Sequence, residues 1–222
     1  MLRRTIMKFT LFSKIPFEVS HPIALIESYC FQNDFFSSYD LLKNRKIEDV
    51  NKIGARISSE LLQQCKTVIK RSNANDLAFF KYDLDRFLKL NEKTRNKHIK
   101  NLNNQVIQSL LILPKIGFSK VTKILHTIYP KIIPMIDNPL QSKYRQINRD
   151  WNENKADQIL IDYYNNLLIE RNRRNLDKIE TVISKNNLKG LTRIRIFDIL
   201  WWSYLKADRL RKEKKINWLS IK

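Results

Sequence analysis

Glycine is scarce in this chain, and its scarcity argues against several classes of fold. The chain contains only three glycines and six prolines, whereas β-sandwiches and barrels need many tight turns at which these residues are common. A mostly helical protein needs fewer such turns. Hydrophobic residues make up 43% and aromatic residues 10%, which is typical of a globular and not of a disordered chain. No segment has a confident strand pattern, so we expect an all-α fold.

Cysteines and histidines are also few, and their spacing does not suit a metal centre. Cys30 and Cys65 lie far apart without a CxxC pair, which favours buried structural thiols. His21, His98 and His126 are scattered, without ligand spacing. The chain has no Walker loop, GxGxxG or GxSxG motif, and no apolar run of the length that crosses a bilayer. We therefore predict no metal and no cofactor.

Acidic residues are underrepresented relative to basic ones. The chain has 42 Lys and Arg against 22 Asp and Glu, a net charge of +20. Such a charge attracts polyanions whatever the fold. We expect double-stranded DNA as the partner; RNA is an alternative that charge alone does not separate, and an anionic membrane surface is less favoured. The expected location is the cytoplasm or nucleoid.

Both ends of the chain are basic. The N-terminal segment 1–17 has four basic residues and no acidic one, which is compatible with organellar targeting but favours an ordinary basic terminus. The tail 206–222 has seven basic residues and two acidic ones. It is either a solvated helical face or a contact with phosphates.

Helical periodicity accounts for most of the chain. A helix begins near Pro22, and a polar stretch over 91–104 is either a loop or the start of a solvated helix. Amphipathic patterns predict further helices over 47–69, 75–90, 103–113, 119–128, 151–174 and 192–215. We expect a single unit of about ten helices over residues 1–222. It forms either one multi-helix bundle or two helical subdomains with a cleft between them.

The segment LPKIGFSKVTKIL (113–125) indicates a helix-hairpin-helix element over residues 103–129. Gly117 would allow positive φ in the turn and a close approach by a phosphate. The N-terminus of the next helix would offer free N–H groups to that phosphate. Lys115, Lys120 and Lys123 would add electrostatic attraction around it.

This segment, followed by IPMID in the Pro-Asp segment 130–139, resembles the helix-hairpin-helix DNA glycosylase superfamily. The resemblance implies that Leu113, Pro114, Ile116 and Gly117 form the hairpin. It implies that Asp137 is the catalytic carboxylate. The residues that it implies at the DNA are Lys115, Ile116, Gly117, Ser119, Lys120 and Lys123.

Two departures from the family pattern bear on the activity. Lys115 stands where the family has its first hairpin glycine, which would strain the turn or change how it meets phosphate. Members that also cut the DNA backbone carry a Schiff-base lysine two residues after the second glycine, where this chain has Ser119, with Lys120 one residue later. The expected enzyme is therefore a monofunctional glycosylase without lyase activity.

A weaker resemblance, over roughly residues 40–205, connects the chain to an uncharacterised bacterial family built around the same element. In that family an apolar-Pro-apolar-x-Asp run follows the hairpin, and an R-h-h-D-h-h-h-W helix (h, apolar) ends the chain. The residues here are Ile133-Pro134-Met135-Ile136-Asp137, then Arg195, Asp198, Trp201 and Trp202. This resemblance implies the fold and no activity.

Each candidate also has a purely structural interpretation. Asp137-Asn138-Pro139 suits a helix start in which Asn138 is the N-cap and Pro139 the first helical residue. Arg195 and Asp198 are spaced for a local ion pair. Trp201 and Trp202 are expected in the core, as are Tyr29, Phe35, Phe36 and Tyr39. The alternatives to a glycosylase are a non-catalytic DNA-binding module and an RNA-binding component.

Overall fold

The computed structural model describes residues 5–32, 50–51, 53–72, 77–185, 188 and 191–212. Most of these residues are helical, and one small sheet pairs β1 (Ile6–Leu11) with β2 (Ile15–Ser20). The α-helices are α1 (Pro22–Gln32), α2 (Ser59–Arg71), α3 (Leu84–Lys89), α4 (Glu92–Leu102), α5 (Gln108–Leu111), α6 (Phe118–Ile128), α7 (Asn138–Ile147), α8 (Ala156–Leu168), α9 (Glu170–Ile183) and α10 (Arg193–Lys212). Ala78–Lys81 and Glu153–Lys155 are 3-10 helices, and Asn103–Ile107 is a π-helix.

The β-hairpin shows that the prediction of a chain without strands is wrong. Met7, Phe9 and Leu11 alternate with less buried residues, which is the period of a half-buried strand. The strands are antiparallel and place Phe9 opposite Phe17. Their rings stack with centroids 5.3 Å apart. The hairpin therefore buries an apolar face against the helices.

Helix α9 covers the outer edge of this hairpin. The Asn172 side chain accepts a hydrogen bond from Thr10 N–H at 2.9 Å and donates one to the Thr10 carbonyl at 2.8 Å. Asn175 donates to the carbonyl of Lys8 at 2.8 Å. These amides satisfy backbone groups of β1 that a third strand would otherwise pair.

Several helix boundaries differ from the sequence-based expectation. Of the helix expected over 47–69, the described residues form α2 from Ser59 onward, and positive φ at Gly54 and Arg56 separates it from the residues before them. The pattern over 75–90 is divided by Asp83, the N-cap of α3, and the pattern over 151–174 is divided at Ile169. The start at Pro22 is confirmed, and the polar stretch 91–104 forms α4 and the start of the π-helix.

One hydrophobic cluster joins the hairpin to the helices. Its largest fully buried side chains include Tyr163 and Tyr164 on α8, and Phe197 and Trp201 on α10. Complete burial of such a side chain contributes roughly 1.5–3 kcal/mol. Helices α8 and α10 are thus anchored in the core and provide fixed supports for the segment before Asp137.

The two cysteines lie in the same core as free thiols. Burial raises the pKa of both Cys30 and Cys65 to about 11. Because the thiolate is the nucleophile, both are unreactive at neutral pH. The expected structural role is thus consistent with their positions.

Over the described residues, no helix combines the length and the apolar character needed to cross a bilayer. The expectations for Phe35, Phe36, Tyr39 and the end of the basic tail concern residues outside the described ranges.

Candidate nucleic-acid interface and the site around Asp137

The turn before α6 is tight, and its strained residue is Lys115. Ile116 N–H donates to the carbonyl of Leu113 at 3.3 Å, which closes a four-residue turn. Pro114 lies at the second position, and Lys115 at the third has φ +62°. A type II turn requires positive φ at that position, where glycine is usual. The expectation that Gly117 supplies the positive φ is therefore wrong.

Gly117 instead forms the N-cap of α6 with extended backbone angles, φ −104° and ψ 170°. Its carbonyl accepts from Lys120 N–H at 2.9 Å and from Val121 N–H at 3.1 Å. No side chain caps this helix end. A Cβ added at Gly117 would lie 3.5 Å from Oε1 of Glu153, in ordinary contact. Glycine is thus not required here by the backbone.

The carboxylate of Glu153 lies beside the N-terminus of α6. Gln108 holds the chain there, because its side-chain amide donates to the Glu153 carbonyl at 3.1 Å and to Asn103 Oδ1 at 2.9 Å. A negative charge is stabilising at a helix N-terminus. It also repels any phosphate that approaches the same N–H groups, so Glu153 opposes the expected contact.

The residues expected to contact DNA at the turn have different environments. Lys115 is exposed, and Lys120 Nζ folds back onto the carbonyl of Lys115 at 3.0 Å. Ile116 is buried in the core, so only its backbone is available to a ligand. Ser119 is partly buried, and its carbonyl accepts the Thr122 hydroxyl at 3.2 Å. The turn therefore offers Lys115 as its most accessible cation.

Lys123 lies near Asp137. It is partly buried, and its Nζ donates to the carbonyl of Gly54 at 3.3 Å. Burial lowers the pKa of Lys123, and the positive charges of Arg195 and Arg56 lower it further. The nearby Asp137 carboxylate raises it. Lys123 is therefore part of the environment of Asp137.

The segment 130–137 has no regular secondary structure yet is largely buried. Side chains form hydrogen bonds with many of its backbone N–H and carbonyl groups. Such chain needs partners for its polar groups, since unpaired buried ones are costly. Four of its carbonyls accept side-chain hydrogen bonds: Pro130 from Thr192, Ile132 from Tyr164, Ile133 from His126, and Ile136 from Gln141. Two of its N–H groups donate to side chains: Met135 to Asp198, and Ile136 to Thr122. These hydrogen bonds therefore hold the backbone before Asp137 in a fixed position.

Asp137 itself is the N-cap of α7. Its Oδ1 accepts from Leu140 N–H at 3.4 Å, and Pro139 follows within the first turn. The N-cap is thus Asp137 and not Asn138, which is already helical. Burial raises the pKa of Asp137, while the Leu140 bond, Lys123, Arg195 and a hydrogen bond from Trp202 lower it. The carboxyl is therefore desolvated yet surrounded by groups that favour its charged form.

Aromatic and cationic side chains flank this carboxyl. Trp202 on α10 lies edge-on to Tyr29 of α1, with ring centroids 5.3 Å apart. Lys206 Nζ lies 4.8 Å from the centre of the Trp202 ring. Arg195 Nη2 donates to the Tyr29 hydroxyl at 2.8 Å. The site thus combines the Asp137 carboxylate, the cations Lys123 and Arg195, and two partly buried rings.

Trp201 and Trp202 have different roles. Trp201 is 1% exposed and belongs to the core, as expected. Trp202 is only partly buried. The charge of Arg195 acts on Asp198, one turn away on the same helix, and Asp198 accepts hydrogen bonds from Met135, Tyr163 and Trp201.

Sequence reasoning did not connect Tyr29 and Arg56 to this site. Tyr29 is bonded to Arg195, and the charge of Arg56 acts on Lys123, but both residues lie far from Asp137 in the sequence, so no local spacing connects them to it. The R-h-h-D-h-h-h-W spacing was the one available signal, because Arg195, Asp198 and Trp202 share a helical face. No group of three or more metal-ligating side chains is placed to hold an ion within the described ranges.

Comparison of the chain with protein-family models, with curated proteins and with solved structures gives no match. The resemblance to glycosylases thus rests on the motif residues alone.

Proposed function

We propose that this protein binds double-stranded DNA and hydrolyses the N-glycosidic bond of a base turned out of the duplex. Asp137 is the catalytic carboxylate in this proposal, and no step cuts the strand. The observation that carries it is the fixed Asp137 at the start of α7, beside Lys123, Arg195 and Trp202. A helix N-cap alone does not require two cations and a tryptophan beside its carboxylate.

The chemistry of the proposed reaction fits a desolvated carboxylate. As the bond from C1′ to the base breaks, the sugar gains positive charge, which Asp137 would stabilise. The base departs with the electron pair of the broken bond and takes up one proton from solvent. Water then adds at C1′, and Asp137 would orient it, accept its proton and return that proton to solvent. The raised pKa of Asp137 makes the carboxylate a better base than an exposed aspartate.

Attraction to DNA in this proposal comes from overall charge more than from the turn. The net charge of +20 supplies a sequence-independent term. At the turn, the exposed Lys115 adds to it, whereas Glu153 opposes it. Two helical subdomains separated by a cleft remain part of the proposal, with Asp137 facing that cleft.

A non-catalytic DNA-binding module is the second candidate. The N-cap bond from Leu140 N–H favours it, because that bond gives Asp137 a sufficient structural role. Lys115 in place of a hairpin glycine also favours a diverged member. In this second proposal the charge still binds DNA, but Asp137→Asn changes nothing beyond the cap.

Equilibrium binding to a fluorescent duplex tests the part that both candidates share. Wild type and Asp137→Asn are expected to bind equally, with affinity that falls steeply between 50 and 200 mM salt, as counterion release requires. Unlabelled duplex DNA should compete better than duplex RNA. A flat salt response, or better competition by RNA, would overturn DNA as the partner.

A further inference from the structure

Asp198 is a buried carboxylate that the proposed reaction does not use directly. It lies on α10 and is 1% exposed. Its Oδ2 accepts from Met135 N–H at 3.1 Å, and its Oδ1 accepts from the Tyr163 hydroxyl at 2.6 Å and from Trp201 Nε1 at 3.3 Å. Three donors from three parts of the fold thus converge on one side chain.

The bond to Met135 connects Asp198 to the candidate site. Met135 is two residues before Asp137, inside the irregular segment. Asp198 shares its helical face with Arg195 and Trp202, both of which act on the Asp137 carboxyl. One face of α10 therefore fixes the backbone before Asp137 and also contacts its side chain.

We propose that Asp198 is a positioning residue that fixes the Asp137 carboxyl through the Met135 backbone. The functional meaning of this role rests on the proposed function, whereas the placement itself does not. A buried carboxylate is an expensive way to satisfy three donors that are all neutral. Its two oxygens accept from opposite sides, so the segment and the α8–α10 core are joined through one rigid group.

The charged and titratable groups around Asp198 are few. Tyr163 and Tyr164 approach from α8, and Arg195 lies one turn earlier on α10. Burial raises the pKa of Asp198, which Arg195 and the three donors oppose. Replacement by the neutral amide removes the ionisable group at nearly constant size, and it also removes the negative charge that interacts with Arg195.

Three variants separate positioning from general stability. Asp198→Ala removes all three bonds. Asp198→Asn keeps an oxygen for Met135 N–H but loses the bond from Trp201 Nε1, because an amide nitrogen takes the place of Oδ1. That nitrogen donates to the Tyr163 hydroxyl, which can in turn donate to the Ile194 carbonyl, 3.3 Å away. Tyr163→Phe is the matched control, because it removes the 2.6 Å bond from the same carboxylate and leaves the Met135 bond intact.

The experiment measures amide hydrogen exchange at Met135 and Leu140, and the carbon-13 titration of the Asp137 carboxyl, by NMR. Asp198→Ala is expected to speed exchange at Met135 by about tenfold or more beyond the change in core amides of α8. It should also move the Asp137 titration. Asp198→Asn should restore both readouts to near the wild-type values, and Tyr163→Phe should leave both unchanged.

Two results would overturn the proposal: unchanged Met135 exchange and Asp137 titration in Asp198→Ala, or equal changes in Tyr163→Phe. These readouts need neither DNA nor activity. Failure of the glycosylase proposal would instead appear as wild-type protein that makes no abasic sites, whatever the NMR result.

Discussion

Single residues carry the local strain and the buried charge of this protein. Lys115 has φ +62° at the third position of the turn before α6, where glycine is usual. A non-glycine residue in the left-handed region costs about 1–2 kcal/mol. Because Lys115 is exposed, a substitution there should change stability without changing a core contact.

Lys115→Gly is expected to be more stable than Lys115→Ala by about 1 kcal/mol, because glycine alone relieves the positive φ. Both variants remove the same charge, so their difference isolates the backbone. Urea denaturation of the two proteins measures it. Equal midpoints would show that the turn has no strain at this position.

Asp198 shows a cost of a different kind. Burial raises its pKa from 3.8 to about 6. A carboxyl whose pKa is higher in the folded than in the unfolded chain lowers stability when it ionises. The penalty is therefore complete above about pH 6 and absent below about pH 4.

Asp198→Asn is expected to stabilise the protein at pH 8 by up to about 3 kcal/mol, since the amide has no ionised form. The gain should shrink towards zero at pH 4. Urea denaturation of wild type and variant at pH 4, 6 and 8 measures the trend. A difference that is independent of pH would contradict the buried ionisation.

At the scale of elements, the start of α7 combines a structural and a proposed catalytic role in one residue. Asn is as good an N-cap as Asp, whereas Ala is much poorer. Replacing Asp137 by each of them therefore separates the cap from the charge.

Asp137→Asn is expected to leave the free energy of unfolding within about 0.5 kcal/mol of wild type, whereas Asp137→Ala should lower it by about 1 kcal/mol. Thermal and urea denaturation at pH 7 check both values. A large loss with Asn would show that the carboxylate charge itself holds the fold, which would weaken its use as a test of catalysis.

The N-terminus of α6 carries a carboxylate where the proposed interface would place a phosphate. Glu153→Gln is expected to tighten duplex binding by about two- to five-fold, as removal of a repulsive charge of 0.3–1 kcal/mol implies. Glu170→Gln is the control, because Glu170 lies in the first turn of α9 and changes the net charge equally. Equal tightening by both variants would place the DNA away from α6.

The elements that the sequence predicted well are those with strong helical periodicity. Helix α6 begins one residue from the expected Ser119, and α10 follows the pattern of its apolar residues. The β-hairpin was missed although Met7, Phe9 and Leu11 alternate. The two turn positions with positive φ are Phe12 and Ser13, where Asn-Gly would be usual. No familiar turn signal therefore marks this connection in the sequence.

The candidate site was predictable only in its centre. Asp137 and Lys123 lie on segments with a motif, whereas Tyr29 and Arg56 reach the site through tertiary packing that has no local pattern. Glu153 could not be placed beside Gly117 either. Its position depends on Gln108, which lies far from it in the sequence.

For the whole molecule, charge and fold point to different parts of the proposed function. The net charge of +20 favours a polyanionic partner, and it is spread over the chain and not confined to the turn. The hydrogen-bonded segment 130–137 favours a carboxylate held in a fixed position. We propose that these two features serve one reaction on DNA.

The most direct test is alkali-induced strand scission of duplex oligonucleotides that carry a panel of damaged bases, with wild type beside Asp137→Asn. Wild type is expected to form alkali-labile abasic sites and the variant none, with no scission before alkali. Equal scission by both proteins, or none by either across the panel, would contradict a glycosylase centred on Asp137.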